Sequence, residues 1–393
     1  MPIDVQTLSL IISERAQNIH LDSFSPTDWE ALANKAQAEG VAPMVYWILS
    51  KSGEISSAPQ STHRILRAAY SATWKKNQSI FNELEVLMRL FNQAQIPTVA
   101  LKGACFALTI YPDIGLRPMS DLDLLAPASK LAEAVRIAQT LGYVDVVPEA
   151  YPGLRDWLKQ EISLQKTTEP FVLLELHNSL LVDQSFTYAV PVQWFWEQTE
   201  PLGGASPARF KNLLMLTPTA QVLYASAHVM LKHGGRNAPL CWFYDLDCLL
   251  RFYAERMDWD LLLAQAATFE WGSALDAALS QTYVYFDTPI PAPVRDNLSK
   301  SSDRHRNLVA RTQTQPQPAT RIIEEYQNLL ALKWYGRIIV ALALVAPSPA
   351  YMRWRYKFQS AWATPIYYLI RWAGIFKDAI RTLIVFFSAR GKT

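Results

Sequence analysis

Two aspartates, Asp121 and Asp123, stand two residues apart in the segment Ser120-Asp-Leu-Asp-Leu-Leu125. On a strand, alternate residues share a face, so both carboxylates point one way while Leu122 and Leu124 point into a core. Carboxylates held side by side repel, and a divalent cation between them relieves the repulsion. Magnesium suits such a pair. It takes oxygen ligands from one or two carboxylates and completes its shell with substrate phosphates and water. Downstream, Phe171-Val-Leu-Leu-Glu-Leu-His177 sets Glu175 in an apolar run, with His177 two residues on and on the same face, where it is expected at the rim of the site. A glutamate there is costly to bury unless it is paired or liganded. On a strand beside the first, Glu175 would complete the site as a metal ligand or as a base toward an attacking hydroxyl. A bare Asp-x-Asp also occurs in solvated loops, and Glu175 also suits an edge strand facing water. The strand, helix and arginine that precede Asp121 favour the catalytic or metal-holding role.

The elements that must carry these residues follow from periodicity. Ile65, Ala69, Trp74, Ile80, Phe81, Leu84, Leu87, Met88 and Phe91 recur mostly at three- and four-residue steps and predict one long amphipathic helix, ended by Pro97. Residues 98–101 read as a strand, 103–111 as a helix, 112–115 as a turn and 122–126 as a strand. Ser129 is placed to cap the next helix, and Gly142 to end it. Residues 143–147, 161–166 and 171–177 follow as strands. Strands joined by helices, then strands in succession, predict a small mixed α/β domain. The expected organisation is a helical region over 1–94, an α/β core over 95–200 and a helical bundle over 208–290. A linker over 291–320 and a basic, aromatic, helical region over 321–393 complete it.

Composition bounds the partners. With 393 residues, half of them hydrophobic and 18% charged, the chain is long enough for two or three globular domains. A formal net charge of +2 gives no basic field and disfavours a long nucleic acid. Cys105, Cys241 and Cys248 form no C-x-x-C pair and read as reduced, buried thiols, which implies a cytoplasmic protein. The first residues carry Asp4 and no basic run, so they do not read as a signal peptide. No stretch reaches the roughly 18 apolar residues of a spanning helix. Residues 366–387 do read as an amphipathic helix with Arg371, Lys377 and Arg381 interleaved. It either packs on the protein or lies in the plane of the inner membrane face. His228 and Lys232 share a helical face and suit the acceptor side of a cleft or simple solvation. His228 and His233, five apart, do not share a face on an α-helix, and Asp245 reads as a cap or cleft residue.

At these residues the chain resembles the uncharacterised nucleotidyltransferase family within the DNA polymerase β-like superfamily. The likeness rests on Leu101-Lys-Gly103, Arg117, Ser120-Asp-Leu-Asp123 and Leu174-Glu-Leu-His177. Looser matches lie at His228, Lys232-His233, Trp242-Phe-Tyr-Asp245, Ala346-Pro-Ser-Pro349 and Arg353-Trp-Arg-Tyr356. The resemblance implies a minimal polymerase β-like sheet with flanking helices, embedded in mostly helical N- and C-terminal regions. It implies Asp121, Asp123 and Glu175 as catalytic metal ligands for Mg²⁺ or Mn²⁺. The reaction would move a nucleoside monophosphate from an NTP to a sugar, small-molecule or protein acceptor, with a link to polysaccharide biosynthesis. Lys102-Gly103 stands where the superfamily carries Gly-Ser. A glycine there still brings backbone N–H groups near phosphate, Lys102 adds a point charge and Arg117 a bidentate contact, with Ser120 beside them. The rival readings are a nucleotide-binding module without turnover and a membrane-peripheral assembly protein.

Overall fold

The structure is a computed structural model that describes residues 3–13, 19–151, 161–181, 190–203, 209–233, 235, 238–300 and 334–390. Four helices open the chain: α1 (Val5–Ile12), α2 (Pro26–Ala38), α3 (Ala42–Ser52) and α4 (Gln60–Gln93). Each start or stop has a local cause. The Ser25 hydroxyl accepts from the Asp28 N–H while the Asp28 carboxylate accepts from the Ser25 N–H, a reciprocal cap for α2. Gly53, at φ +82°, ends α3 in the left-handed conformation. The long helix α4 buries Ile80, Phe81, Leu84, Leu87, Met88 and Phe91, as its periodicity predicts, while Ile65 and Ala69 are half-buried and Leu66, outside the predicted stripe, is buried. Trp74 departs from that stripe and is exposed. It instead helps enclose Gly115, where an added Cβ would lie 2.8 Å from the Tyr70 ring and 3.0 Å from the Trp74 Cβ. Buried Asn77 of α4 donates to the carbonyls of Ile114 and Arg117, at 2.6 and 2.7 Å. The long helix thereby anchors the loop that feeds the Asp121–Asp123 strand.

The described residues form a seven-stranded mixed sheet. Its strands are β1 (Thr98–Ala100), β2 (Asp121–Leu125), β3 (Tyr143–Asp145), β4 (Ile162–Lys166), β5 (Leu173–His177), β6 (Thr199–Pro201) and β7 (Leu213–Leu216), in the order β3-β4-β5-β2-β1-β7-β6. The central strand β2 pairs parallel with β5 and antiparallel with β1. Helices α5 (Lys102–Thr109), α6 (Ala128–Thr140) and α7 (Val192–Glu197) connect the strands. Ser129 does not cap α6. The helix starts one residue earlier, behind Pro127, and has no side-chain cap. The sheet also continues past the point where helices alone were expected, because β7 pairs parallel with β1. Its apolar run Leu-Leu-Met-Leu has neither a two- nor a four-residue rhythm, so periodicity cannot tell it from buried helix.

Beyond the sheet come α8 (Pro218–Ala227), α9 (Leu240–Phe252), α10 (Trp259–Thr268), α11 (Gly272–Phe286) and α12 (Ala292–Ser299). The helix α12 occupies the start of the expected linker. Residues 301–320 of that linker and 321–333 of the expected C-terminal region lie outside the described residues. A continuous apolar core joins Leu8 of α1 to Leu298 of α12. Three further helices follow: α13 (Trp334–Val345), α14 (Pro349–Tyr356) and α15 (Thr364–Arg390). Among the described residues no helix is long and apolar enough to cross a membrane.

Candidate active site

The parallel pairing of β2 and β5 sets Asp123 directly opposite Glu175. Since β4 runs antiparallel to β5, it starts beside the end of that strand, which brings Glu161 against His177. One ligand atom each from Asp123, Glu175 and His177 lies within 4.8 Å of the others. His177 Nε2 stands 2.8 Å from Asp123 Oδ1 and 3.8 Å from Glu175 Oε2, and its Nδ1 stands 3.5 Å from Glu161 Oε2. His177 was expected at the rim and is instead buried. Its strand runs on beside Leu125, in the interior of the sheet. Asp121 lies on the same face as Asp123, two residues nearer the surface, and takes a hydrogen bond from the Ser120 side chain.

Charge is unevenly shared within the cluster. Burial opposes ionisation of Asp123, but the Lys102 ammonium and His177 outweigh it and hold that carboxyl below the usual range. Glu161 is treated alike: burial is outweighed by His177 and by Lys232, whose Nζ is 3.0 Å away. For Glu175 the compensation from Lys102 falls short. Burial, with the nearby Glu161, Asp123 and Asp121, pushes it up to about 8. Burial, then Asp123, also raises Asp121. Four carboxylates thus converge, and two of them, Asp121 and Glu175, are short of positive charge. Oxygen donors with one imidazole and a deficit of cations fit a divalent metal.

Lys102 opens α5 from a left-handed backbone conformation, φ +44°, which a residue with a side chain adopts at a cost. The conformation points the ammonium inward: Nζ is 2.8 Å from Asp123 Oδ1 and 3.4 Å from His228 Nε2. Burial works against its charge, yet Tyr224, Asp123 and Asp121 more than restore it. A Cβ on Gly103 would stand 3.2 Å from Met119 Cγ, so the glycine lets the first turn of α5 lie close on the loop before β2. The backbone ties the same parts together, with the Leu101 N–H donating to the Asp123 carbonyl at 3.1 Å.

Arg117 lies beside Gly103, its Nη1 3.8 Å from where a Cβ on that glycine would stand, but its hydrogen bonds are made inside the protein. Its Nε donates to both oxygens of Asp245, at 2.8 and 3.0 Å, and its Nη2 to Oδ2 at 2.8 Å. Nη1 donates to the Pro118 carbonyl. Asp245 also accepts from the Tyr111 hydroxyl at 2.7 Å. The guanidinium is therefore committed inside the protein, and the bidentate partner it has is the α9 carboxylate. Arg117 and Asp245 clamp the β2 approach loop to the helical layer.

The chain after α8 holds a second surprise. Residues His228–Lys232 form a π-helical turn, and its longer step brings residues five apart over one another. His228 and His233 therefore do share a face: their Nε2 atoms are 3.3 Å apart, and both rings pack on Trp242. Burial, then Lys102, lowers the basicity of His228 well below that of an ordinary histidine, so it stays neutral and accepts from Lys102. The same turn delivers Lys232 to Glu161. Sequence reasoning missed Glu161 and the bond from His177 to Asp123. The first could have been found by pairing the two predicted strands 161–166 and 171–177 as a hairpin.

Carboxylates thus converge from neighbouring strands, with an imidazole among them, beside the N-terminus of a helix that presents lysine and glycine, and the cluster is compatible with a divalent metal. The family described as uncharacterised nucleotidyltransferase matches residues 25–287, more than half of the chain, and the chain belongs to it: it is a nucleotidyltransferase, a transferase of phosphorus-containing groups. The match takes in α2 to α4, ahead of the sheet, and stops before α12 and the C-terminal helices. The chain also aligns with the crystal structure of an antigenic nucleotidyltransferase-like protein from Paracoccidioides brasiliensis, at 13% identity and a TM-score of 0.29, covering 51% of this chain and 93% of that one. No curated protein matches the chain.

Proposed function

We propose that the protein transfers a nucleoside monophosphate from an NTP to a hydroxyl acceptor by two-metal chemistry, with Asp121, Asp123 and Glu175 holding Mg²⁺ or Mn²⁺. The observation that carries this is the register of β2 and β5, which makes Asp123 and Glu175 direct neighbours and leaves Glu175 without a cation of its own. The bound ions would neutralise the triphosphate and lower the pKa of the attacking hydroxyl. His177 orients the Asp123 carboxylate through its 2.8 Å contact. Lys102 and the N-terminus of α5 at Gly103 supply positive charge for the triphosphate, with Ser120 at the mouth. The acceptor oxygen attacks the α-phosphorus, pyrophosphate leaves, and Glu175 takes the hydroxyl proton.

In this scheme the sheet region, 95–200, carries the nucleotide side, and the helical region, 208–290, carries the acceptor side through the His228–His233 turn. Arg117 acts as a brace under the loop. The acceptor is a sugar, a small molecule or a protein side chain, and the family resemblance favours a polysaccharide precursor. The protein works in the cytoplasm, at the inner membrane face for the reason developed below. The test is incubation with each α-labelled NTP, Mg²⁺ or Mn²⁺ and a fractionated cell extract, scoring label transfer and pyrophosphate release. Asp123→Asn should lower turnover on the order of 10³-fold, the several kcal/mol that a bound ion contributes. Label transfer by Asp123→Asn at the wild-type rate would sink the proposal.

A further inference from the structure

The C-terminal helices α13, α14 and α15 face outward with side chains that belong inside a protein. Of nineteen large hydrophobic side chains exposed among the described residues, eleven fall between Trp334 and Phe376. Trp334 is 72% exposed, Phe376 70% and Trp362 92%. On α15, Ile366, Leu369, Ile370, Ala373 and Phe376 recur at three- and four-residue steps and form one apolar stripe. A contiguous patch of this kind marks an interaction surface.

These helices are held in place. The Ser348 N–H and hydroxyl donate to the carbonyls of Ala150 and Glu149, at 2.6 and 2.7 Å, which ties the unit to the loop after β3. Arg371 Nε and Trp372 Nε1 of α15 donate to the Leu344 and Val345 carbonyls at 2.8 and 2.6 Å and satisfy the end of α13. Tyr368 donates to the Pro347 carbonyl. Polar tips thus turn inward to the backbone while aliphatic and aromatic surfaces turn out. Between the helices lies a groove of about 740 Å³, with Pro349, Thr364, Tyr368, Leu369 and Trp372 along it and the Arg353 side chain at its wall.

Charge selects the occupant. Residues 334–393 hold nine Lys and Arg against one Asp, a net +8, in a chain whose total is +2, so residues 1–333 carry −6. Arg353, Arg355 and Lys357 are exposed on α14 and just after it, beside the apolar surface. A second copy docking the same face would set its cations, Arg353, Arg355, Lys357 and Lys377 among them, against their like. A nucleic acid would satisfy the cations and leave the Trp, Ile and Phe side chains in water. We propose that this face seats the protein on an anionic phospholipid bilayer, its apolar side chains in the acyl boundary and its cations against lipid phosphates.

The test is co-sedimentation of the full chain with phosphatidylcholine vesicles, with and without phosphatidylglycerol. Binding should strengthen about tenfold or more with the anionic lipid and weaken with salt. The triple variant Arg353→Glu, Arg355→Glu, Lys357→Glu should lose the preference for anionic lipid. The variant Trp362→Ser, Ile366→Asn, Phe376→Asn, whose changes lie on the exposed surface, should lose binding to both vesicle types. Calorimetric binding of NTP with Mg²⁺ should be unchanged in both, which separates failure of this proposal from failure of the nucleotide site. A full chain that stays in the supernatant with both vesicle types overturns the proposal. So does a dimer in solution that the apolar variant dissociates, since it would assign the face to a second copy.

Discussion

The acidic face of the sheet and the C-terminal helices are opposite kinds of exception to the same rule. On the sheet, charged groups are drawn out of water: Asp123 and His177 are buried, and Glu175 is held beside three other carboxylates. On α13 to α15, apolar groups are left in water and cations crowd the same surface. Each violates the tendency to bury apolar and expose charged side chains, and each is supported by backbone ties that do not relax it. A fold keeps such arrangements where something outside the chain completes them. On the sheet the partner we propose is a divalent metal with a nucleoside triphosphate. On the helices it is the proposed anionic bilayer. The Arg117–Asp245 pair shows the contrast from the other side. It is also buried and charged, yet both members and Tyr111 satisfy one another, so it asks for no ligand.

That contrast can be broken by mutation. The largest effect should come from the self-satisfied pair. Asp245→Ala leaves the guanidinium of Arg117 buried without its partner and should destabilise the fold by about 3–5 kcal/mol in chemical denaturation. A loss below 1 kcal/mol, with NTP affinity falling instead, would return Arg117 to the phosphate site. Next comes Glu175→Gln, which keeps size and removes charge. It should leave nucleotide affinity nearly intact and lower kcat roughly 10²-fold, as expected of a lost base. Wild-type turnover by this variant would leave Glu175 as a carboxylate of an interior strand with no part in chemistry. The smallest effect is the sharpest on the comparison. The Trp362→Ser, Ile366→Asn, Phe376→Asn variant should keep thermal stability within about 0.5 kcal/mol of wild type, because its changes touch no core. A large loss of stability would mean that these side chains are part of the fold after all.

Cysteine chemistry offers an independent check on what is interior. Burial pushes the thiols of Cys105 and Cys241 up to about 12. Neither should react with a disulfide reagent at pH 8 until the protein is unfolded, and rapid labelling of either in the native state would contradict their placement.

The sequence by itself determined the strand carrying Asp121 and Asp123, the strand carrying Glu175 and His177, and the long helix α4. Each has a two- or four-residue rhythm strong enough to set which side chains share a face, a property local to ten or so residues. It also determined the composition of the C-terminal region, since nine cations among tryptophans and isoleucines can be counted in one dimension. Only the tertiary structure decided which strand lies beside which. The parallel pairing of β2 with β5 set Asp123 against Glu175, and the hairpin of β4 with β5 brought Glu161 to His177. Tertiary packing likewise gave Arg117 to Asp245, 128 residues away. It also imposed a π-turn that set the His228 ring edge-on to His233 against the spacing of an ordinary helix. Pairing register and ion-pair choice depend on contacts between distant segments, whose energies no local pattern records. A helix's hydrogen-bond step, too, can be overridden by what its side chains must reach.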